Sequence, residues 1–316
     1  MNILVLGLSS IFNKRFKISI ENTVSVKYID CASLSKSKSD FNSLKLRDFY
    51  SSYETALENS DAEIVYVSTR NNDHSRLIKM ALKNDKHVMV DKPSVIHYPD
   101  ALEIYKIAKE KNLCVSEVIV YQYHPQFNQI KNIFKQNNSN PTHISTVFSI
   151  PGFETSNFRY YKKYGGGAIL DLGPYAMTLG SVIFESNPIS CKGFKFKSAN
   201  FEVETSFSIN LEYPNGCSLV GYFGFETKYM NSMSILGNDL QVKSDRVFTI
   251  PADFENKLII SDCNNNKSHY NTKNCDIFFE YLNNVVSKIH NSNWLSLNDQ
   301  FLNNSKLLSQ LKTSLN

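Results

Sequence analysis

Short apolar runs alternate with helical periodicity through the first ~120 residues, and this alternation constrains the fold more than any other feature of the chain. Ile3–Leu6 is a continuous apolar run, Val24–Cys31 reads as a second strand, Ala62–Val67 as a third, His87–Val90 as a fourth and Leu113–Ile119 as a fifth. Helices are predicted from about Asp73 to Asn84 and from Pro99 to Lys111, the second with Ala101, Ile104, Tyr105 and Ala108 on one face. Strands that are apolar throughout are buried on both sides, as in a parallel sheet clad by helices. The reading is an α/β chain whose N-terminal part is a doubly wound parallel sheet.

After Tyr121 the texture changes. A helix near Gln126–Phe134 leads to a strand, Ile144–Ile150, and then to a glycine-rich segment with its own helix. From Ser190 to about Leu236 the residues alternate in strand fashion, with turn signals such as Pro214-Asn215-Gly216 between runs, so an open antiparallel sheet of several strands is expected. Asp276–Ile289 and Asn298–Leu315 read as amphipathic helices. At 316 residues, two domains are the natural division. The boundaries read as 1–118 for the parallel-sheet domain and 119–316 for an α+β domain, with C-terminal helices free to pack back on the first. A net charge of +4 without a basic stripe argues against nucleic acid. Six scattered cysteines with no ligand spacing argue against a metal site. No apolar run reaches membrane-spanning length and no signal peptide precedes the first strand, which places the chain in the cytoplasm with reduced thiols.

Three segments bear chemistry. In Tyr164-Gly165-Gly166-Gly167-Ala168-Ile169-Leu170-Asp171-Leu172-Gly173-Pro174-Tyr175 the glycines allow backbone geometry and close approach that a side chain forbids. Asp171 reads as an N-cap, with Gly173, Pro174 and Tyr175 in the first helical turn. That makes Tyr175 either a proton donor on a rigid turn or an ordinary core tyrosine. The fourth strand ends in Asp91-Lys92-Pro93, placing Lys92 at the carboxyl edge of a parallel sheet, where ligands bind. Pro93 excludes helical geometry at Lys92 and admits a cis bond. The alternative for Lys92 is a solvated surface charge. After the first strand, Gly7-Leu8-Ser9-Ser10-Ile11-Phe12 retains only the first glycine of a dinucleotide-binding turn, with small Ser9 at the second position and bulky Phe12 at the third. At the end of the second strand Asp30 and Ser33 compete for the adenosine ribose. Ser33 with Lys36 and Lys38 favours a 2′-phosphate, hence NADP(H) over NAD(H).

In order and spacing, these segments resemble the glucose–fructose oxidoreductase / inositol dehydrogenase family over nearly the whole chain. The resemblance rests on Gly7, the Ser68-Thr69-Arg70-Asn71-Asn72-Asp73-His74 stretch, Lys86 to Pro93, Glu117, His124-Pro125-Gln126 and the glycine run to Tyr175. It implies a Rossmann-type dinucleotide-binding domain over 1–118, joined to a substrate-binding and oligomerisation α+β domain over 119–316 with a large, mainly antiparallel open sheet. The family's Glu-Lys-Pro becomes Asp91-Lys92-Pro93, and its inositol-branch Asp-x-Gly-x-His-x-x-Asp becomes Asp171, Gly173, Tyr175, Thr178. With tyrosine in place of histidine, the chain looks like the tyrosine branch. His124-Pro125-Gln126, Phe158-Arg159-Tyr160 and Asp245 to Pro251 are most similar to nucleotide-sugar C-3 ketoreductases.

The resemblance implies an oxidoreductase that moves a hydride to or from a sugar carbon. Tyr175 would be the proton donor, and Lys92 would lower the phenol's pKa and bind the same oxygen. Cofactor contacts are implied for Gly7, Ser9, Ser10, Ile11, Ser33, Lys36, Thr69, Asn71, His74, Asp91, Lys92 and Glu117. Substrate contacts are implied for Lys92, Arg159, Tyr160, Asp171, Tyr175, Tyr229, Asn231 and Arg246. The implied substrate is a sugar or nucleotide-linked keto-deoxysugar, and the implied assembly is a homodimer or homotetramer through the C-terminal sheet. Two other readings stay open: a dehydrogenase of a free sugar or diol, and a cofactor-binding protein with little catalysis.

Overall fold

β1 (Ile3–Leu6), β2 (Ile29–Ala32), β3 (Leu46–Tyr50), β4 (Ile64–Val67), β5 (His87–Asp91) and β6 (Val115–Val118) form one six-stranded sheet in the computed structural model, which describes residues 1–315. The last residue of the expected second domain, 316, lies outside the described residues. The sheet order is β3-β2-β1-β4-β5-β6 and every pair is parallel. The chain divides into two compact units, one made of Met1–Ile119 with Phe278–Lys306 and the other of Val120–Ile277 with the residues from Leu307 onward.

In the first unit, Leu4, Leu6, Val65, Val67, Val88 and Val90 bury one sheet face under α2 (Tyr53–Asn59), α3 (His74–Lys83) and α4 (Tyr98–Glu110). Strand alternation sends Tyr66, Met89 and Asp91 to the opposite face, which meets a helix over residues 10–22 that ends as α1 (Lys17–Asn22). That face also meets α7 (Ile277–His290), whose Tyr281 hydroxyl donates to Ser116 Oγ at 2.9 Å. Two expectations change. The second strand begins at Ile29, because Val24 and Ser25 form a turn in which Val24 is 96% exposed. β3 was not anticipated at all: it is half-exposed and polar in the middle, so it shows no continuous apolar run.

The second unit holds an eight-stranded sheet of β7 (His143–Ser149), β8 (Ser190–Phe196), β9 (Ser206–Glu212), β10 (Ser218–Gly224), β11 (Met230–Leu236), β12 (Leu240–Ser244), β13 (Lys257–Asp262) and β14 (Lys267–Asn271). Its order is β14-β13-β12-β11-β7-β10-β9-β8; the β7–β10 pair is parallel and the others are antiparallel. α5 (Gln126–Gln136) precedes the sheet, and α6 (Ala168–Phe184) packs on β9 and β10. Ile144, Phe148, Leu219, Phe223 and Ile235 are buried on the inner face. The outer face is small and hydroxyl-rich at its centre, with Ser145, Ser232 and Ser234 beside Val220. Large apolar groups stand on it at Phe194 and Phe196, 73% and 62% exposed. Among the described residues no helix is long and apolar enough to cross a membrane, no cluster of three metal-binding side chains forms, and the six cysteines are free.

Candidate active site

The turn after β1 fits a dinucleotide's pyrophosphate despite its missing glycines. Gly7 has φ +87°, and a Cβ there would meet the Ser68 carbonyl oxygen at 2.5 Å, so the backbone itself passes close to β4. Ser9 Oγ accepts from the Phe12 N–H at 3.1 Å and so caps the helix over residues 10–22. The preceding first-turn amides have no intrahelical acceptor, and Ser10 and Ile11 are exposed at that end. Phe12 at the third-glycine position is admitted by a change of helical pitch: Phe12–Phe16 form a π turn. The ring stacks on Phe41 at 5.9 Å and tilts against Tyr66 at 5.8 Å.

Lys92 follows β5 on a turn fixed from three sides, and the Lys92–Pro93 bond is cis. Asp91 Oδ1 accepts from the Tyr66 hydroxyl at 2.5 Å and Oδ2 from Ser68 Oγ at 2.8 Å. The Pro93 carbonyl faces His74 Nδ1 at 2.9 Å, while His74 Nε2 lies 3.3 Å from the Thr69 carbonyl. The Ser94 N–H donates to Glu117 Oε1 at 2.8 Å, and Glu117 Oε2 accepts from Asn304 Nδ2 at 3.0 Å. Asn304 belongs to α8 (Leu295–Ser314). Burial raises the carboxyls of Asp91 and Glu117 above their ordinary range, and burial lowers His74, so the imidazole is held toward its neutral form. Asp91, His74 and Glu117 were expected as cofactor contacts. Their polar atoms are directed onto protein partners, so they form the frame of the turn. Lys92 itself is partly exposed, as is Thr69, while Asn71 is buried at the start of the segment before α3.

At the end of β2 Asp30 and Ser33 are both buried, at 0% and 4% exposure, and differ in their partners. The Asp30 side chain is fully enclosed and accepts from Arg47 Nε at 3.0 Å, Arg47 Nη2 at 2.6 Å and Ser60 Oγ at 2.5 Å. Ser33 stands at the sheet edge, with its Oγ accepting from the Lys36 N–H at 3.1 Å, and the Lys36 side chain is exposed beside it.

In the second unit, the N-cap of α6 is Gly167, not Asp171, so Pro174 and Tyr175 lie inside the helix, beyond its first turn. Gly167 takes φ 111°, and the missing capping side chain is replaced by Glu204. Its backbone carbonyl accepts from Ala168 N at 2.9 Å and its Oε1 from Ile169 N at 3.1 Å. Leu308 and Leu311 pack directly on Gly173: a Cβ there would meet their side-chain methyls at 2.9 and 2.8 Å. Tyr175 is partly exposed. Its ring is boxed by Tyr121, Phe148 and Phe248 at centroid distances of 5.8, 5.4 and 5.4 Å. The Tyr121 hydroxyl is spent on Thr178 Oγ1 at 2.9 Å, and burial pushes Tyr121 strongly up.

The remaining expected substrate residues fall into two groups. Arg159 donates from Nε to Asp171 Oδ2 at 2.9 Å and lies over the rings of Phe158 and Phe153, at 4.7 and 5.0 Å. Arg246 lies over the Tyr229 ring at 5.2 Å and donates to its hydroxyl at 2.8 Å; both side chains keep exposed surface. Tyr160 and Asn231 are each 2% exposed, and their polar atoms are bonded within the protein. The Tyr160 hydroxyl donates to Glu226 and accepts from Phe153 N. Asn231 Oδ1 accepts from Val247 N and Phe248 N at 3.1 and 3.0 Å, and so holds Phe248 against Tyr175. Gln126, buried under the same loop, donates to the Val247 carbonyl at 3.3 Å, which joins two motifs far apart in sequence. Tyr66, Ser68, Phe248 and Glu204 were not named as site residues, although Ser68 and Phe248 lie in stretches that carry the resemblance; each acts on a site residue distant in sequence.

Comparison with known proteins places this geometry. The family model described as "Oxidoreductase family, NAD-binding Rossmann fold" matches residues 1–119, and the GFO/IDH/MocA C-terminal domain matches residues 136–243. A dTDP-3,4-didehydro-2,6-dideoxy-alpha-D-glucose 3-reductase of Saccharopolyspora spinosa is 28% identical over 205 residues, covering 64% of this chain and 61% of the relative. A trans-1,2-dihydrobenzene-1,2-diol dehydrogenase of Xenopus laevis is 26% identical over 168 residues, 52% of this chain and 50% of the relative. The match thus spans about three fifths or less of these relatives' length. A 3-ketoreductase from Actinomadura kijaniata, crystallised with NADP and TDP-benzene, superposes with a TM-score of 0.92 at 21% identity, covering 100% of this chain and 98% of that one.

Proposed function

The chain belongs to the GFO/IDH/MocA oxidoreductase family, and from that premise we propose that it is an NADP(H)-favouring ketoreductase of a nucleotide-linked keto-deoxysugar. The observation that carries the reading is the stiff turn presenting Lys92 at the carboxyl edge of a parallel sheet, the edge shared with the Gly7 turn. A bound nicotinamide supplies the hydride. Charge then gathers on the ketone oxygen as its carbon is reduced, and that oxygen must be met by a proton. Tyr175 gives the phenolic proton, and Lys92 offers an ammonium hydrogen bond to the same oxygen. The enclosure of Asp30 supports NADP(H), because no carboxylate remains at the end of β2 to repel a 2′-phosphate, while the Ser33 hydroxyl and Lys36 stand there. Ser9, Ser10 and Ile11 are assigned to the pyrophosphate turn, and Thr69 and Asn71 to the cofactor side of β4. The names of the relatives from Saccharopolyspora spinosa and Actinomadura kijaniata support the substrate class. Arg159, Arg246 and Tyr229 are the groups assigned to the sugar and its diphosphate, while Asp171 holds Arg159.

The same proposal includes a homodimer or homotetramer through the outer face of the eight-stranded sheet, whose small serines permit a second sheet to approach closely. It also includes a cytoplasmic setting, which six free thiols suit. The test is turnover. Tyr175→Phe and Lys92→Ala should each lower it at least about tenfold while NADPH binding holds within roughly threefold. Near-normal turnover in both variants discards the assignment. Following NADPH absorbance with nucleotide-linked keto sugars, free sugars and diols decides the substrate class, and turnover of diols alone overturns the ketosugar reading.

A further inference from the structure

Asp91 stands where the family resemblance leads one to expect glutamate, and its surroundings are arranged for the shorter side chain. β4 and β5 are in parallel register, with Tyr66 opposite Met89 and Val67 opposite Val90. Tyr66, Ser68 and Asp91 therefore project from one face of the sheet, the face covered by the helix over residues 10–22. Tyr66 is fully buried; its ring meets Phe16 edge-on at 4.5 Å and Phe12 at 5.8 Å, and its hydroxyl ends 2.5 Å from Asp91 Oδ1. A side chain longer by one methylene at residue 91 would carry its carboxylate toward that hydroxyl.

The other carboxylate oxygen sets a chain of hydroxyls. Ser68 Oγ gives its single proton to Asp91 Oδ2 at 2.8 Å, so toward Ser9 it can only accept. Ser9, 2.6 Å away, must then donate to Ser68, which leaves a lone pair on Ser9 Oγ for the Phe12 N–H at 3.1 Å. An ionised Asp91 thus fixes the direction of each hydrogen bond from β5 to the helix cap. Chains of this kind polarise one another and are lost as a unit.

We propose that Asp91 is a positioning residue that locks the pyrophosphate turn after β1 to the strand end bearing Lys92, through Ser68 and Ser9 on one oxygen and Tyr66 on the other. Tyr66 makes aspartate, and not the longer glutamate, the fitting residue. The inference rests on the cofactor reading above. Its content beyond that reading is that the turn lacking two glycines is held by a side-chain relay, and that residues 66 and 91 are matched in size.

The experiment is a double-mutant cycle on the full chain. It uses Asp91→Glu, Tyr66→Phe and the pair, read as NADPH dissociation constants by nucleotide fluorescence alongside circular dichroism. Asp91→Glu alone should weaken NADPH roughly tenfold, and adding Tyr66→Phe, which vacates the hydroxyl's space, should restore binding to within about threefold of wild type. A merely structural loss at residue 91 is not rescued by a second deletion. Losses that multiply in the pair, or wild-type binding in Asp91→Glu, overturn the size match. Should Asp91→Glu fail to fold, Ser9→Ala and Ser68→Ala, singly and together, carry the test. Losses that do not multiply support the relay, and losses that multiply overturn it. Absence of NADPH and NADH binding by the wild-type chain strikes the cofactor reading itself, an outcome distinct from any of these.

Discussion

Replacing Arg47 by methionine removes the cation from the enclosed Asp30 carboxylate, and with it the exposed ion pairs to Asp48 and Asp61, which add little. Asp30 has a fully enclosed side chain, and Arg47 supplies two of its hydrogen bonds, at 3.0 and 2.6 Å. Losing one partner of a buried ion pair costs about 3–5 kcal/mol. Ser60 Oγ at 2.5 Å and the Asp48 N–H at 3.3 Å still serve the carboxylate in the variant. The loss should therefore fall at the low end, about 3 kcal/mol. With a urea dependence of roughly 3 kcal/mol per molar, the unfolding midpoint moves down by about 1 M. The control is Arg76→Met. Its pair with Glu54 is 2.8 Å long, but the two side chains are 50% and 51% exposed, so the loss should stay below about 1 kcal/mol. Urea titration followed by circular dichroism reads both. Equal midpoint shifts for the two variants would refute the argument, because burial would then have made no difference to what an arginine contributes.

Ser33→Asp should place a carboxylate at the end of β2, weakening NADPH at least about tenfold while NADH stays within roughly threefold, as measured by fluorescence titration. Asn231→Ala removes the amide that holds Val247 and Phe248. A stability loss of about 2–3 kcal/mol is expected in urea unfolding, with a fall in turnover of at least about fivefold as the box around Tyr175 loosens. His124 is buried, and burial pulls it down to about 4 from the ordinary 6.5. The unfolded chain therefore takes up a proton first as pH falls. The stability this residue contributes is complete above about pH 6.5 and is lost progressively toward about pH 4. His124→Asn keeps an acceptor for the Gln126 N–H, now at 3.2 Å from Nδ1, and should show a smaller fall in melting temperature from pH 7 to pH 5 than wild type.

The parallel sheet was legible because β1, β4 and the interior of β5 are buried on both faces, and such strands announce themselves as unbroken apolar runs. β3 was not, because its pattern of Leu46, Arg47, Asp48, Phe49 and Tyr50 is half-exposed. That omission concealed Arg47, the cation that engages the enclosed Asp30 carboxylate. The glycine run and Tyr175 were visible as a motif, yet the start of α6 was misplaced by four residues. The group that replaces a capping side chain, Glu204, lies 35 residues onward from Ile169 and leaves no local trace. The same holds for Asp91: its substitution for glutamate was plain in the sequence, whereas its accommodation depends on Tyr66, from the neighbouring strand.

One amide near the C-terminus governs when the first unit can be finished. β6 is an edge strand, and Asn298 of α8 treats it as a further strand would, accepting from Val115 N at 2.8 Å and donating to the Leu113 carbonyl at 2.9 Å. A ribosome that has released residues 1–119 has therefore made all six strands but not the cover for the last of them. Until nearly two hundred further residues emerge, that nascent edge is exposed to chaperones and to other copies of itself. Recombinant fragments cut after the sixth strand inherit the same raw border.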